Sequence, residues 1–191
     1  MQLSGQENLP VPQAQAWAAL NDIELLRRSI AGCESLTPIG ADDGGEYEAL
    51  LSVSIGPVKA RFKGRLKLSD LQPPSSYQIA FEGSGGAAGH GKGTAQVRLE
   101  TLGPAETRLH YTVVASVGGK IAQIGSRLVD MAAQKMAGDF FAAFNAALRE
   151  RHAADLSASP PSPPPAPPKP LARRFLDWYL GWLGRIFSGR L

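Results

Sequence analysis

The stretch from Glu46 to Lys67 constrains the fold more than any other part of this sequence. Two alternating runs flank Gly56-Pro57, a dipeptide typical of a tight turn. Folded back as antiparallel strands, they place nearly all apolar residues on one face and charged residues on the other. The predicted inward pairs are Ile55–Val58, Val53–Ala60, Leu51–Phe62, Ala49–Gly64 and Tyr47–Leu66, and the outward pairs are Glu48–Arg65 and Glu46–Lys67.

Other segments extend this pattern into an α+β domain. Further strands are predicted over about 3–11, 77–83, 94–101 and 106–116, short helices over 12–20 and 23–30, and a long helix over 120–153. Asn21 or Asp22 is the expected cap of the second helix. The long helix has one apolar stripe: Ile121, Ile124, Leu128, Met131, Met136, Phe140, Phe144 and Leu148. A sheet with one apolar face and a helix with one apolar stripe bury both by packing together, so we predict an α+β domain in which a curved antiparallel sheet wraps around the long C-terminal helix.

Composition divides the chain into three predicted parts. Ser157–Pro170 holds eight of the 15 prolines and cannot form a packed core. Polyproline II is expected there, with a reach of roughly 40 Å at about 3.1 Å per residue. We therefore predict a folded domain over 1–154, a disordered proline-rich linker over 155–170 and a helix over 171–191.

The last segment is predicted to be an amphipathic helix that lies on a membrane surface. At 100° per residue its aromatic and aliphatic side chains share one arc, bordered by arginines. Two of the three tryptophans are here, and Trp and Tyr favour the headgroup boundary while Arg meets anionic lipid. The alternative is docking into a protein groove. The predicted membrane-contacting residues are Arg173, Arg174, Phe175, Trp178, Tyr179, Trp182, Leu183, Arg185, Ile186 and Phe187.

Charge and cysteine content bound the location and partners. The chain has 20 Lys and Arg against 17 Asp and Glu, and residues 1–154 are net neutral, so the excess of +3 lies after them. A neutral domain argues against nucleic-acid binding. The N-terminus lacks the features of a secretory signal, no window is apolar enough to span a bilayer, and Cys33 is a lone cysteine. We expect a cytoplasmic protein, peripheral on the inner face of the cell membrane.

Three motifs that suggest chemistry have simpler structural explanations. Gly86–Gly93 resembles a phosphate-binding loop, but Gly93 replaces the hydroxyl residue and a strand follows, so we expect a glycine-rich hairpin or bulge near a cavity mouth. The basic residues at alternate positions from Lys59 to Lys67 fit a solvated sheet face, with an acidic partner or lipid headgroups as the alternative. The three histidines lack metal-ligand spacing, and no catalytic or metal site is predicted.

Six segments resemble the G-subunit family of carbon monoxide dehydrogenase, which belongs to the SRPBCC (START-like) helix-grip superfamily. They are Trp17–Asp22, Ile30–Glu34, Ile55–Val58, Phe62–Gly64, Gly83–Gly93 and Val117–Leu128, in order within about residues 1–150. The resemblance implies a cytoplasmic accessory protein that recruits a molybdenum-containing CO dehydrogenase, or a related hydroxylase, to the membrane. It implies neither a catalytic triad nor a metal.

The one-sided apolar lining also predicts a ligand cavity between sheet and helix. Its predicted lining is Tyr47, Leu51, Phe62, Phe81, Tyr111, Leu128 and Phe140. Respiratory quinone is the favoured occupant, because a dehydrogenase needs an electron acceptor and quinone resides in that membrane; another lipid would also fit. A filled core explains the same pattern. Two other functions stay open: a carrier of lipid without an enzyme partner, and a cyclase- or dehydratase-like enzyme using the inward tyrosines.

Overall fold

The computed structural model describes residues 1–39 and 45–158, and the strands within those ranges form one antiparallel sheet. In chain order they are β1 (Gln2–Leu9), β2 (Cys33–Pro38), β3 (Glu46–Ile55), β4 (Val58–Gln72), β5 (Ser76–Ser84), β6 (His90–Gly103) and β7 (Glu106–Gly118). Their spatial order is β1-β7-β6-β5-β4-β3-β2. The edge strand β2 was not predicted, because its six residues include Pro38 and show little alternation.

The hairpin of β3 and β4 has the predicted register. All five apolar pairs, from Ile55–Val58 to Tyr47–Leu66, lie directly opposite each other. On the outer face the Lys67 ammonium lies 2.8 Å from the Glu46 carboxylate. Glu48 lies opposite Arg65 as predicted, but its carboxylate pairs diagonally with Lys63 at 3.1 Å. Side-chain alternation therefore sufficed to position this hairpin.

Two short helices connect β1 to β2. In the described part of the chain the helices are α1 (Gln13–Leu20), α2 (Ile23–Ser29), α3 (Lys120–Gln123) and α4 (Ser126–Ala158). Of the two predicted caps, Asp22 is the one used: its Oδ1 accepts the backbone N–H of Glu24 and of Leu25, each at 3.1 Å. Its Oδ2 accepts a hydrogen bond from Arg151 at 2.8 Å, which ties α4 to this junction.

The long C-terminal helix differs from the prediction in one respect that matters for the site. It is interrupted at Gly125, whose φ of 98° lies in the left-handed region, so α3 and α4 are separate. This break changes the rotational phase. Leu128 and Met131, predicted to face the sheet, are 46% and 57% exposed, whereas Val129 is buried. α4 also continues to Ala158, into the segment predicted as linker.

The packed core lies at the C-terminal half of α4. Phe144 is fully buried, stacks on Phe140 at 5.4 Å between ring centroids, and packs with Leu9 and Leu109 of the sheet. The buried Thr107 hydroxyl donates to the Val11 carbonyl at 2.8 Å, which satisfies a polar group inside this cluster. One end of the sheet and helix is therefore filled by side chains.

A single compact unit extends from Met1 to Leu156. The predicted amphipathic helix over 171–191, and the predicted linker beyond Ala158, lie outside the described residues. Within the described residues, no helix combines the length and the apolar character needed to cross a membrane.

Candidate ligand cavity

A row of very small residues crosses the concave face of the sheet. Ala49 on β3 lies opposite Gly64 on β4, Gly64 opposite Gly83 on β5, and Gly83 opposite Gly91 on β6. We call these four residues the glycine row. They occupy the inward positions of four neighbouring strands, so a band across the sheet lacks the side chains that would fill the space beneath α4.

Local geometry does not require glycine at two positions of this row. None of its three glycines has a left-handed φ, so an L residue would be unstrained there. A Cβ added at Gly83 would lie 3.6 Å from its nearest atom, the Lys63 carbonyl oxygen, and one at Gly91 would also have its nearest neighbour at 3.6 Å. Both are ordinary contacts, whereas a Cβ at Gly64 would lie 3.1 Å from the Glu82 carbonyl oxygen, which is tighter. Glycine in a strand lowers the stability of the folded state by about 0.5–1 kcal/mol relative to alanine. At positions 83 and 91 this glycine relieves no steric clash and leaves open space above the sheet.

Gly93, two residues further along β6, shows the opposite situation. A Cβ there would collide with the Val114 carbonyl oxygen and would lie 2.8 Å from Phe81 Cζ. Glycine at this position accommodates the Phe81 ring and the neighbouring backbone. The inward glycines of the sheet therefore have two different roles. Gly93 makes room for neighbouring atoms, whereas Gly83 and Gly91 leave a cavity unfilled.

The cavity above the glycine row has a volume of about 320 Å³. We call it the glycine chamber. Leu51, Phe62 and Phe81 line it from the sheet, and its surface is almost entirely hydrocarbon. From the helical side it is lined by Ile121 of α3 and by Val129, Ala133 and Met136 of α4.

A second cavity of about 250 Å³ lies next to the first, and we call it the tyrosine chamber. Its walls come from the sheet, from α2 and from Phe140 and Phe141 of α4. Ala49, Leu51 and Leu66 line both chambers, so the two spaces adjoin. The side-chain hydrogen-bonding groups of its described lining are the hydroxyls of Tyr47, Tyr77 and Tyr111 and the Asn21 amide.

Two of the three tyrosines pack against other aromatic rings. Tyr77 meets Trp17 edge-to-face at 5.5 Å between ring centroids, and Tyr111 lies 5.3 Å from the Phe141 ring. Gly5 of β1 makes room for Tyr111, since a Cβ there would lie 2.5 Å from the Tyr111 hydroxyl. No side-chain hydrogen bond between described residues uses a tyrosine hydroxyl. Burial raises the pKa of Tyr77, so its phenol stays protonated and able to donate.

The structure distributes the predicted lining residues over both chambers, with one exception. Tyr47, Tyr111 and Phe140 line the tyrosine chamber, Phe62 and Phe81 line the glycine chamber, and Leu51 lines both. Leu128 lines neither and is exposed, because the break at Gly125 turns it away from the sheet. The glycine row and Tyr77 were missing from the predicted lining, although glycines at inward strand positions are a readable signal.

The glycine-rich segment after β5 forms a connection beside the glycine chamber. Gly86–Ala88 is a short 3-10 turn, and Ser84 pairs with His90 across the resulting hairpin. Thr94–Glu100 belongs to β6, so no helix N-terminus follows the segment. Gly89 and Gly119 touch closely: a Cβ on Gly119 would lie 2.5 Å from the Gly89 Cα, which packs this connection against the start of α3. The expected hairpin is confirmed.

Other candidate groups have structural partners. On the outer face of β4, Arg61 forms an ion pair with Glu34, and Lys63 and Lys67 pair with Glu48 and Glu46. This favours the solvated-face interpretation of the basic stripe. Burial raises the pKa of the Cys33 thiol, which disfavours the reactive thiolate. Within the described ranges no group of three His, Cys, Asp or Glu side chains could hold a metal ion.

A curved antiparallel sheet that encloses apolar chambers against a C-terminal helix defines a START-like, helix-grip protein. A START superfamily protein from Mycobacterium smegmatis superposes with a TM-score of 0.60 at 14% identity, covering 78% of this chain and 98% of that one. Zhui aromatase/cyclase from Streptomyces sp. R1128 gives 0.59 at 15% identity, covering 80% and 95%. A conserved protein from Geobacillus kaustophilus gives 0.72 at 29% identity, covering 78% and 96%.

The sequence profile of CoxG, the G-subunit family of carbon monoxide dehydrogenase, matches residues 5–149, and the chain belongs to this family. The match confirms the predicted family and the helix-grip fold. No curated protein gives a significant match. Family and fold together suggest a protein that binds a hydrophobic ligand.

Proposed function

We propose that this protein binds an apolar, lipid-like molecule in its two chambers and acts as a membrane-tethered accessory of a cytoplasmic oxidoreductase. The observation that carries the proposal is the glycine row. Gly83 and Gly91, which have no steric reason to be glycine, maintain an open, hydrocarbon-walled space in a protein that would be more stable with that space filled. A binding function explains why the sequence keeps it empty.

Respiratory quinone is the proposed ligand. The chambers measure about 250 and 320 Å³, and together they fall in the size range of small-molecule sites, about 300–1,000 Å³. The tyrosine hydroxyls can donate hydrogen bonds to ring carbonyl oxygens, and the hydrocarbon walls suit a prenyl chain. A long-chain lipid with a neutral oxygen-bearing head satisfies the same walls, and mass spectrometry distinguishes the two.

The partner proposed from the family name is CO dehydrogenase or a related molybdenum hydroxylase. In this proposal the segment 171–191 binds the inner face of the cell membrane, and the proline-rich segment before it provides a reach of roughly 40 Å. The folded domain then brings the enzyme to the membrane and exposes it to the quinone pool. No nucleic acid is involved.

A catalytic function of the cyclase or dehydratase type has less support. The described lining of the tyrosine chamber contains no carboxylate, histidine or lysine that could act as a general base. The lining of the glycine chamber includes Glu82, His90 and Lys92, which alternate with the inward Gly83 and Gly91 and so belong to the outer face of the sheet. The likeness to an aromatase/cyclase at 15% identity concerns the fold. Replacing the inward tyrosines by phenylalanine would abolish turnover if they were catalytic, whereas a binding protein would lose affinity only.

Ligand extraction tests the first part of the proposal. Full-length protein purified from membrane-containing cells is extracted with organic solvent, and the extract is analysed by mass spectrometry. We expect about one quinone per wild-type chain and much less from Gly83→Val, whose new side chain occupies the glycine chamber. Met131→Val, on the exposed face of α4, is the matched control. Recovery of no lipid or quinone from the wild type would contradict the proposal.

Fractionation and affinity capture test the other two parts separately. The full chain is expected in the membrane fraction, and a chain ending at Ala158 in the soluble fraction. Capture from cells that express the molybdenum hydroxylase is expected to recover that enzyme with both chains, because the folded domain carries the proposed contact. Equal solubility of both chains would refute membrane tethering, and failure of both to capture the hydroxylase would refute recruitment.

A further inference from the structure

We propose that the two chambers fix the ligand in one orientation, with its oxygen-bearing ring in the tyrosine chamber and its hydrocarbon chain in the glycine chamber. This inference rests on the proposed function and adds to it the residues that recognise the head and those that accept the tail. The two chambers differ in their inward side chains. Three tyrosines line the tyrosine chamber, whereas the polar residues on the lining of the glycine chamber, such as Arg65 and Lys92, alternate with its inward glycines and belong to the outer face of the sheet.

The donors are concentrated at one end of the cavity. Tyr47, Tyr77 and Tyr111 all line the tyrosine chamber and do not line the glycine chamber. Their hydroxyls take no part in the side-chain hydrogen bonds between described residues, as noted above for all three tyrosines. A ligand oxygen within reach of a tyrosine hydroxyl gains a hydrogen bond, whereas the same oxygen against the hydrocarbon surface of the glycine chamber loses its bonds to water.

The chemistry of the donors also selects the kind of head. A protonated phenol donates to a carbonyl oxygen, and the raised pKa of Tyr77 maintains that state. The described lining of the tyrosine chamber holds no arginine, lysine or histidine to neutralise a carboxylate, and no carboxylate to neutralise an ammonium. Burying either charge without a partner is costly. The chamber therefore favours a neutral, acceptor-rich ring over the head of a fatty acid.

The glycine chamber suits the chain. Across Gly64, Gly83 and Gly91 the floor is backbone without side chains, and Phe62 and Phe81 add carbon walls. The boundary between the two chambers is formed by Ala49, Leu51 and Leu66, which line both. A hydrocarbon chain attached to a ring in the tyrosine chamber would cross this boundary to enter the glycine chamber. A valine at position 83 would project into the glycine chamber, because the nearest atoms to its Cβ lie 3.6 and 3.7 Å away.

A two-probe binding experiment tests the orientation. The probes are 2,3-dimethoxy-5-methyl-1,4-benzoquinone, which has no chain, and its 6-decyl derivative. Binding is followed in the full chain carrying Trp178→Phe and Trp182→Phe, so that quenching reports on Trp17, whose ring lies 5.5 Å from that of Tyr77. Palmitic acid, added as a competitor of the decyl probe, tests the exclusion of a carboxylate.

The expected pattern separates the two chambers. Tyr47→Phe with Tyr111→Phe removes two donors and should raise the Kd of both quinones by about 4- to 140-fold, since each net hydrogen bond is worth roughly a factor of 2–12. Gly83→Val should raise the Kd of the decyl probe at least about 10-fold and change that of the chainless ring by less than about 2-fold. Palmitic acid should compete at least about 10-fold more weakly than the decyl probe binds. Unfolding in urea verifies that each variant is folded.

Each other outcome has a definite meaning. If Gly83→Val weakens the chainless ring while the tyrosine substitutions do not, the ring lies in the glycine chamber and the orientation is overturned. Unchanged quinone affinity in the tyrosine variant, or strong competition by palmitic acid, refutes recognition by donors while leaving the proposed function intact. If the folded wild type binds neither quinone, the proposed quinone function and the orientation both fail.

Discussion

Replacing Gly83 by valine should make the ligand-free protein more stable. Its backbone is unstrained for an L residue, and the nearest atoms to an added Cβ are at 3.6 and 3.7 Å. Removing a strand glycine gains about 0.5–1 kcal/mol. Partial burial of three carbon atoms adds roughly 1 kcal/mol, given about 0.8 kcal/mol for each fully buried methylene. The expected net gain is about 1.5–2 kcal/mol.

Urea unfolding of the delipidated full chain measures this gain, with a rise in Tm of roughly 3–6 °C as a second readout. Lipid must be removed first, because a bound ligand would stabilise the wild type by mass action and mask the effect. The slope of the unfolding free energy against urea concentration should stay unchanged, since the exposed surface hardly differs.

Gly93→Val is the matched control for this prediction. It makes the same substitution at an inward strand position, but its Cβ would lie 2.8 Å from Phe81 Cζ and would collide with backbone. Overpacking of this kind costs about 1–3 kcal/mol. If Gly83→Val destabilises the protein as much as Gly93→Val does, the space above the glycine row is not open and the reasoning fails.

Three further predictions concern the packed end of the molecule and its surface charges. Phe144→Ala should cost about 3–5 kcal/mol in urea unfolding, because this ring is fully buried, whereas Met131→Ala, 57% exposed, should change stability by less than about 0.5 kcal/mol. Asp22→Ala removes a helix cap and should cost about 1–2 kcal/mol, against about 0.5 kcal/mol or less for Arg151→Ala; equal losses would mean that the ion pair, not the cap, dominates. Hydrogen bonds from two neighbouring arginines lower the pKa of Glu24 from 4.5 to about 2, so its stabilising contribution is present above pH 4.5 and is lost as the pH falls towards 2. Urea midpoints measured between pH 6 and pH 2 should therefore fall less in Glu24→Gln than in the wild type, and an identical pH profile would contradict this assignment.

Local patterns predicted most of the fold. The β3–β4 hairpin was predictable residue by residue because both strands alternate and a two-residue turn fixes their register. The rotational phase of α4 was not predictable, because the spacing of the apolar residues fits one continuous helix; these residues are Ile121, Ile124, Leu128 and Met131. A single left-handed glycine at position 125 separates α3 from α4 and resets the phase.

The candidate site was harder to predict for a related reason. Its aromatic lining follows from alternation along single strands, and six of the seven predicted residues line a chamber. The glycine row depends on the register of four strands at once, which requires two hairpins besides the one that the sequence resolved. The visible signal was that Gly64, Gly83 and Gly91 each occupy an inward position of an alternating strand.

The side chains of α4 show how a protein keeps a cavity without losing its fold. Towards its C-terminal end the inward positions hold large, buried groups such as Phe144 and Leu148, and the Asp22–Arg151 pair secures that end. Towards its N-terminal end the residues over the glycine row are Val129, Ala133 and Met136. Stability and binding are thus assigned to opposite halves of one helix. Because filling the hollow half should add stability while lowering the proposed ligand affinity, the two effects of Gly83→Val are expected to have opposite signs.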